Sequence, residues 1–515
     1  MTKKTLFFEN GILLTAVAIV ARTVGIFFNA FVTKTVGAAG MGLFTLIMTV
    51  YGFAVTFATA GIGLAVTRLV AKAIGEKRER EVPAVVKTCL FYALLFSLSA
   101  AAILFSLSSV IAKGALSDER AALPLRLLSL SLPFTALIVV IGGYFTAIRK
   151  VKRNAAVQVV TGGLKILITL FKIGKAAEGG TVAAVRFLCG LSTLFEAISA
   201  FVLVCLFLLD APIRHRERDV ARYPKRKVFA LAFPLALSAY IRSALVTVEH
   251  ILIPKCLEKF GQSTESALAS YGVLHGMVVP LILYPMAALS SFAGLLIPEF
   301  AEAHAEKNNE RMTKITERAL GATIVFAVGV SVCLCYFSEE LGYCVYHSYE
   351  AGYYTAVLCC VIPIMYLDHV TDAILKGIGE QVYSMWVNIT DAALSVLLVL
   401  ILLPKLGILG YAVVIAAMEG YNFLLSFFAS QKENCFSLVA PFDGFAAAFG
   451  RRLRHAFVPC RFQNQRQGNG WVSFASQNDI YGGYVFSLSL DLFSFFFPKI
   501  SKERQKTIAF LIFLC

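Results

Sequence analysis

Residues 210–227 read DAPIRHRERDVARYPKRK, the longest strongly basic interruption in an otherwise oily chain. Arg214, Arg216, Arg218, Arg222, Lys225, Arg226 and Lys227 cannot lie in hydrocarbon, and such an excess of Lys and Arg in a short loop between apolar helices marks a cytoplasmic loop. The stretch therefore divides the chain into two apolar halves and orients both.

Composition on either side of it sets the class. Of 515 residues, 58% are hydrophobic and only 15% charged, with a mean hydropathy of +0.75. Apolar runs of about 20 residues or more recur, the length a helix needs to cross a bilayer. The expected fold is an all-α polytopic membrane protein. The net charge of +15 would suggest nucleic acid in a soluble protein, but here the excess sits in loops on one side, facing anionic lipid headgroups. Membrane lipids are thus the expected partners and nucleic acid is not. The N-terminal run behind Lys3 and Lys4 is too long for a signal peptide and contains Arg22, so it reads as a retained first helix.

Catalytic signatures are missing. The twelve cysteines lie mostly in apolar runs, and pairs such as Cys333/Cys335 and Cys359/Cys360 lack companion ligands at metal spacing. There is no phosphate-binding glycine loop, no GxSxG and no HExxH, and the seven histidines are scattered singly. The reading is of a non-enzyme with no cofactor and no metal.

Twelve apolar segments precede the tail: 6–33, 42–71, 84–112, 121–148, 154–172, 181–209, 228–254, 268–298, 316–337, 351–375, 382–403 and 409–430. Loops after the second, fourth, sixth and eighth are rich in Lys and Arg, whereas the one between the ninth and tenth carries Glu339, Glu340 and Glu350. The N-terminus and the end of the twelfth helix are both expected in the cytoplasm. The division is an N-lobe over 1–209, a basic linker over 210–227, a C-lobe over 228–430 and an atypical tail over 431–515. The tail has room for one or two further helices, up to fourteen in all, although no clear pair of spans is readable in it.

An internal repeat emerges when the halves are overlaid. Gly143 to Ile148 leads out of helix four as Ala373 to Ile378 leads out of helix ten, and Gly180-Thr181-Val182-Ala183 matches Gly410-Tyr411-Ala412-Val413, both at an offset of 230 residues (374 − 144 and 410 − 180). Ala21-Arg22-Thr23 faces Ile241-Arg242-Ser243 at 220 (242 − 22). Each half has an even number of helices, so the repeats share one orientation, as parallel repeats about an axis along the membrane normal do. A central cavity between the lobes is expected.

Charge inside the apolar runs should locate that cavity, because an ionisable side chain at the bilayer centre costs about 2.5–3.5 kcal/mol or more. The candidates are Arg22, Lys165, Arg186, Glu196, Arg242, Glu249, His250, His275, Asp368, His369, Asp372, Asp391 and Glu419. Lys165 and Arg186 lie near helix ends and can snorkel. Asp368 and Asp372, at i and i+4, can also serve neighbouring backbone or hydroxyls. Arg22 and Arg242 lie well inside their runs at matching repeat positions.

Four segments carry a family resemblance: 37–72 (GAAGMGLFTLIMTVYGFAVTFATAGIGLAVTRLVAK), 142–160 (GGYFTAIRKVKRNAAVQVV), 271–308 and 366–411. Over roughly residues 6–435 the chain resembles the stage V sporulation protein B group of polysaccharide flippases, within the superfamily of peptidoglycan-lipid flippases and multidrug extruders. The resemblance implies two six-helix lobes forming a V that alternates between inward-open and outward-open. It also implies that Arg22 contacts the pyrophosphate of a lipid-linked substrate.

Two transport classes follow. A flippase for a lipid-linked saccharide, possessing a peptidoglycan or other envelope precursor as cargo and a role in spore envelope formation, needs cavity cations, which Arg22 and Arg242 supply. A cation-coupled multidrug antiporter needs membrane carboxylates. The substrate set is Arg22, Arg242, Glu249 and His275, with Glu249 expected to neutralise Arg242 in the empty state. Coupling to H+ or Na+ is assigned to Asp368, Asp372 and Asp391. Gly276, Pro280 and Pro285 are expected to bend a gate-lining helix over 271–302. A third role, recruiting envelope-synthesis proteins as a scaffold, would rest on the cytoplasmic loops.

Overall fold

The computed structural model describes residues 3–209 and 225–432. Residues 210–224 of the basic stretch, and the atypical tail beyond Lys432 with its room for one or two further helices, lie outside the described residues. Every element among the described residues is helical.

The first helix, α1 (Lys3–Thr59), is 57 residues long. At 1.5 Å per residue that is about 85 Å, nearly three times the hydrocarbon thickness of about 30 Å, so it must turn back. It turns at Gly37, where φ is 82° and ψ 165°, a conformation costly for any residue with a Cβ. The loop expected over 34–41 is therefore a single residue. A second break at Gly61 leads into α2 (Ile62–Gly75). A Cβ on Gly61 would lie 2.2 Å from the Ala232 carbonyl oxygen, so glycine is needed there for the close approach as well as for φ.

The first half continues with α3 (Val82–Val110), α4 (Ala122–Ser129), α5 (Leu132–Ala147), α6 (Val151–Glu178) and α7 (Thr181–Leu208). The second half begins with α8 (Lys225–Lys259) and α9 (Thr264–Tyr271), then a π-helical segment Gly272–Val278, α10 (Val279–Leu283) and α11 (Met286–Ala305). It ends with α12 (Asn309–Tyr336), α13 (Ser338–Tyr346), α14 (Tyr349–Cys359), α15 (Ile362–Ile378), α16 (Gln381–Leu406) and α17 (Ile408–Lys432). Among the described residues, ten helices are long and apolar enough to cross a membrane, or up to twelve if each of two bent pairs is one span.

Those bent pairs display the repeat. Glu119–Ser129 with Leu132–Ala147 bends by 41°, and Tyr349–Cys359 with Ile362–Ile378 by 60°. Leu132 to Ile362 and Val151 to Gln381 are both steps of 230 residues (362 − 132 and 381 − 151). Packing repeats as well: α3 on α5 corresponds to α12 on α15, and α6 on α7 to α16 on α17. Outward from these contacts, large apolar side chains such as Phe171 and Phe201 are 82% and 70% exposed, as lipid-facing positions are.

The core is divided unevenly. One buried cluster joins Leu46, Leu125 and Leu188 of the first half to Tyr271, Phe300 and Tyr366 of the second. The other lies towards the basic-loop end of the first half, around Val66, Val86, Tyr144 and Phe145, and reaches only Val228 and Ala232 of the second. The halves thus share buried apolar surface mainly away from the basic loops.

Candidate functional site

Among the contacts that join the halves are two seams, each pairing an early helix of one with an early helix of the other. The arm of α1 beyond Gly37 meets α9 and the π segment at backbone distance. A Cβ on Gly42 would lie 2.0 Å from the Leu268 carbonyl oxygen, and one on Gly272 would lie 2.2 Å from that of Ala38. Gly276 belongs to this contact too, since its Cβ would fall 2.7 Å from Met41 Cγ. Further along, Tyr240 Oη donates to the Phe57 carbonyl at 3.1 Å and Ser243 Oγ to Thr56 Oγ1 at 3.3 Å. By chain order the glycine contact lies at the end away from the basic loops.

The expected gate helix is broken in three ways. Gly272–Val278 is π-helical, Pro280 stands at the start of α10, and Pro285 caps α11 after the interruption at Tyr284. Arg22 reaches this interruption: its Nη1 donates to the Leu283 carbonyl at 2.6 Å, and Thr23 Oγ1 lies 2.9 Å from Tyr284 Oη. A π segment adds a residue per turn and commonly marks a functional position.

Both arginines are exposed. Among the described residues, neither has a carboxylate within the 4.0 Å of an ion pair. Arg242 lies within electrostatic reach of Asp391 on α16. Glu249, expected to neutralise Arg242, is buried and occupied elsewhere: Ser395 Oγ donates to its Oε1 at 2.7 Å and Tyr411 Oη at 3.3 Å. Seven residues separate Glu249 from Arg242, about 10 Å of helical rise, and two hydroxyls close at hand satisfy the carboxylate more cheaply.

His275 joins a polar and aromatic cluster rather than Arg22. Its ring lies 4.5 Å from that of His250, 4.8 Å from Tyr271 and 5.4 Å from Tyr411. His250 Nδ1 is 2.7 Å from Tyr271 Oη, while His275 Nε2 is buried without a partner. Glu249, Tyr411, His275, His250 and Tyr271 therefore form one contiguous group across α8, α9, the π segment and α17. Tyr271, Ser395 and Tyr411 carry no sequence signal, because a hydroxyl in an apolar run changes hydropathy little.

The remaining acids separate into two kinds. Asp372 is engaged by Lys376 and by the Ser384 hydroxyl, as its i, i+4 placement permits. Asp368 and Asp391 each keep a buried oxygen without a partner. Glu419 lies within electrostatic reach of both, so the second half gathers acids from α15, α16 and α17. In the first half, Glu196 is within electrostatic reach of Lys165 and takes a 3.5 Å contact from Thr135, whose hydroxyl also meets Tyr51. That group ties α1, α5, α6 and α7 together.

Two sequence-related helical halves that meet along paired seams, with exposed arginines and buried acids within span-length helices, define a polytopic membrane transporter. The chain belongs to the polysaccharide biosynthesis protein family, whose profile matches residues 7–304, and a MatE profile matches residues 240–401. Stage V sporulation protein B of Bacillus subtilis (strain 168) is 23% identical over 431 residues, 81% of each chain. Sporulation protein YkvU of the same organism is 23% identical over 421 residues, 78% of this chain and 90% of that one. Among solved structures, the lipid II flippase MurJ in an inward closed conformation superposes with a TM-score of 0.67 at 14% identity, covering 94% of this chain and 99% of that one. An inward-facing multidrug resistance MATE family transporter gives 0.67 at 15% identity, over 80% and 94%. The group resemblance drawn from the sequence and the all-α polytopic fold are both borne out.

Proposed function

We propose that the protein moves a lipid-linked saccharide precursor of the cell envelope across the cytoplasmic membrane by alternating access. Its basic loops and N-terminus face the cytoplasm, and the lobes are residues 1–209 and 228–430. The observation that carries this reading is the pair of exposed arginines without ion-paired carboxylates. A guanidinium in that state attracts a phosphate, and its planar fork can hold two phosphate oxygens at once. Arg22 is placed by the Leu283 carbonyl at the break between α10 and α11, so a substrate bound there touches the segment that must flex. Arg242 supplies the second cation from the matching repeat position. Glu249 and His275 then act behind the arginines, through Tyr411 and the π segment, rather than as direct ligands.

Ion coupling, by H+ or Na+, is assigned to Asp368 and Asp391 with Glu419. A buried carboxylate that is not closely paired with a cation is expensive to keep charged, and changing its occupancy changes how α15, α16 and α17 pack. Asp372 is left to its Lys376 and Ser384 contacts. Supply of the cargo on a schedule set by spore formation, as the names of the relatives suggest, belongs to the same proposal.

The acids also favour a second reading, a cation-coupled multidrug antiporter, and the MatE match covers the helices that carry Asp368 and Asp391. Depletion of the protein separates the two. Accumulation of a lipid-linked precursor supports the flippase. A normal precursor pool with lost resistance to a cationic dye selects the antiporter.

A further inference from the structure

The break between α10 and α11 originates at Pro285. In an unbroken helix the carbonyls of Leu281, Ile282 and Leu283 would accept from the amides of residues 285, 286 and 287. Proline has no N–H, and its ring crowds the carbonyl four residues earlier. Leu281 O therefore accepts from Tyr284 N at 3.3 Å, and Ala287 N tightens onto the Tyr284 carbonyl at 3.2 Å. The Ile282 and Leu283 carbonyls and the Met286 amide lose their helical partners, and backbone groups within a bilayer must find others.

Two side chains from other elements supply them. Tyr366 of α15 inserts its hydroxyl into the gap: Oη donates to the Ile282 carbonyl at 2.9 Å and accepts from the Met286 amide, standing in for the bond that the helix has lost there. Arg22 of α1 donates to the next carbonyl, that of Leu283, at 2.6 Å. The two donors differ in freedom. Tyr366 is fully buried, and its ring stacks on Phe326 of α12 at 6.0 Å and 24°, so its hydroxyl is held in one place. Arg22 is exposed, and a guanidinium with one N–H on a carbonyl keeps others for a second acceptor. One planar peptide unit joins the two carbonyls, so fixing Ile282 O also fixes where Leu283 O points.

We propose that Tyr366 is a positioning residue for the substrate site: by filling the break it holds the Leu283 carbonyl in the place from which Arg22 is presented to the phosphate of the cargo. The assignment rests on the phosphate-binding reading of Arg22. Tyr366 acts through Arg22 and touches no substrate. A residue that merely filled space would need only the ring, whereas both unmatched backbone groups use the hydroxyl. Its place on α15, two residues before Asp368, also ties the arginine to the helix that carries that acid.

The test uses the purified full chain in lipid nanodiscs, with calorimetric titration of inorganic pyrophosphate and with butanedione modification of Arg22 read by peptide mass spectrometry. Two variants empty the break by opposite routes. Tyr366→Phe removes the hydroxyl and keeps the ring. Pro285→Ala restores the missing N–H, so that Leu281 O regains its helical donor and Met286 N and Ala287 N return to Ile282 O and Leu283 O; both side chains are then displaced from a helix that keeps its thermal stability. Each variant should weaken pyrophosphate binding by about five- to tenfold and raise Arg22 modification severalfold, with Arg242 modification unchanged. In an Arg22→Ala background neither should weaken binding further, because a positioning residue acts only through the residue it positions. Unchanged affinity in both variants overturns the assignment, as does an equal loss with and without Arg22. Modification of Arg22 at the parent's rate in both variants overturns it whatever happens to affinity. If the parent binds no pyrophosphate but Arg22 still becomes more reactive in both variants, the positioning stands and the phosphate reading of the proposed function falls.

Discussion

Replacing Gly42 with alanine should unlatch the seam away from the basic loops. The added Cβ would sit 2.0 Å from the Leu268 carbonyl oxygen, 1.0 Å inside the 3.0 Å that real Cβ contacts respect. The obstructing atom is backbone and cannot swing aside, so the two helices must part by about that distance whenever the seam is closed. A state in which the two helices part escapes that contact. Overpacking of this kind costs about 1–3 kcal/mol, which shifts the equilibrium away from the closed seam by about 5- to 150-fold. The assay is modification of a Thr45→Cys reporter, half-buried beside the seam, by a membrane-impermeant thiol reagent added on the side opposite the basic loops. The background replaces exposed Cys335, Cys344 and Cys360 with serine. Labelling should accelerate at least about fivefold in Gly42→Ala and in Gly272→Ala. It should stay unchanged in Gly294→Ala, where an added Cβ meets nothing within 4 Å. Unaltered labelling in both seam variants, at normal membrane levels, would refute the claim that backbone contact holds this end shut.

Three further outcomes follow from the same geometry. Glu249→Gln keeps an oxygen for Ser395 and Tyr411 and should melt near the parent in detergent, whereas Glu249→Ala strands both hydroxyls at about 1–3 kcal/mol each; equal melting temperatures would show that the carboxylate is not holding α16 and α17 to α8. Arg22→Lys keeps the charge but loses the fork, so flipping of a lipid-linked precursor in reconstituted vesicles should fall about tenfold or more, for a loss of about 1.5–3 kcal/mol; a rate equal to the parent's in both Arg22→Lys and Arg22→Ala would make Arg22 a structural residue. Cysteines placed at Arg216 and Glu340 should label from opposite faces of the membrane, and labelling of both from one face would overturn the assigned orientation.

Much of the architecture is legible along the chain because hydropathy and charge are properties of single residues. The apolar runs, the basic loops and the 230-residue offset need no knowledge of what touches what. What escapes is set by contacts between distant residues. Nothing at Gly37 distinguishes a one-residue turn from the middle of a loop, and nothing in Gly272 to Val278 announces a π-helix rather than an α-helix with glycines. Arg22 and Arg242 stand out as charges in oil, yet the partner of Glu249 depends on Ser395 and Tyr411, roughly 150 residues away (395 − 249 and 411 − 249). The acidic residues of 339–350 mark a loop away from the basic side, but that the Tyr346 hydroxyl is buried without a partner becomes visible only in three dimensions.

Gly37 also governs how movement passes between the two arms of α1. Thr33 and Lys34 lie a few residues before it on one helical arm, and Gly42 lies five residues after it on the other. A flexible five-residue connector would let its ends wander by about 12 Å, and a pull on one arm would be lost in slack. A single glycine between two stiff helices is an elbow with only one residue's torsions to take up motion, so a movement of the first arm reaches the Gly42 contact on the second with little slack. Lengthening the joint by a few glycines should therefore leave each arm folded while disconnecting them, so that movement of the first no longer reports on the opening of the Gly42–Gly272 contact.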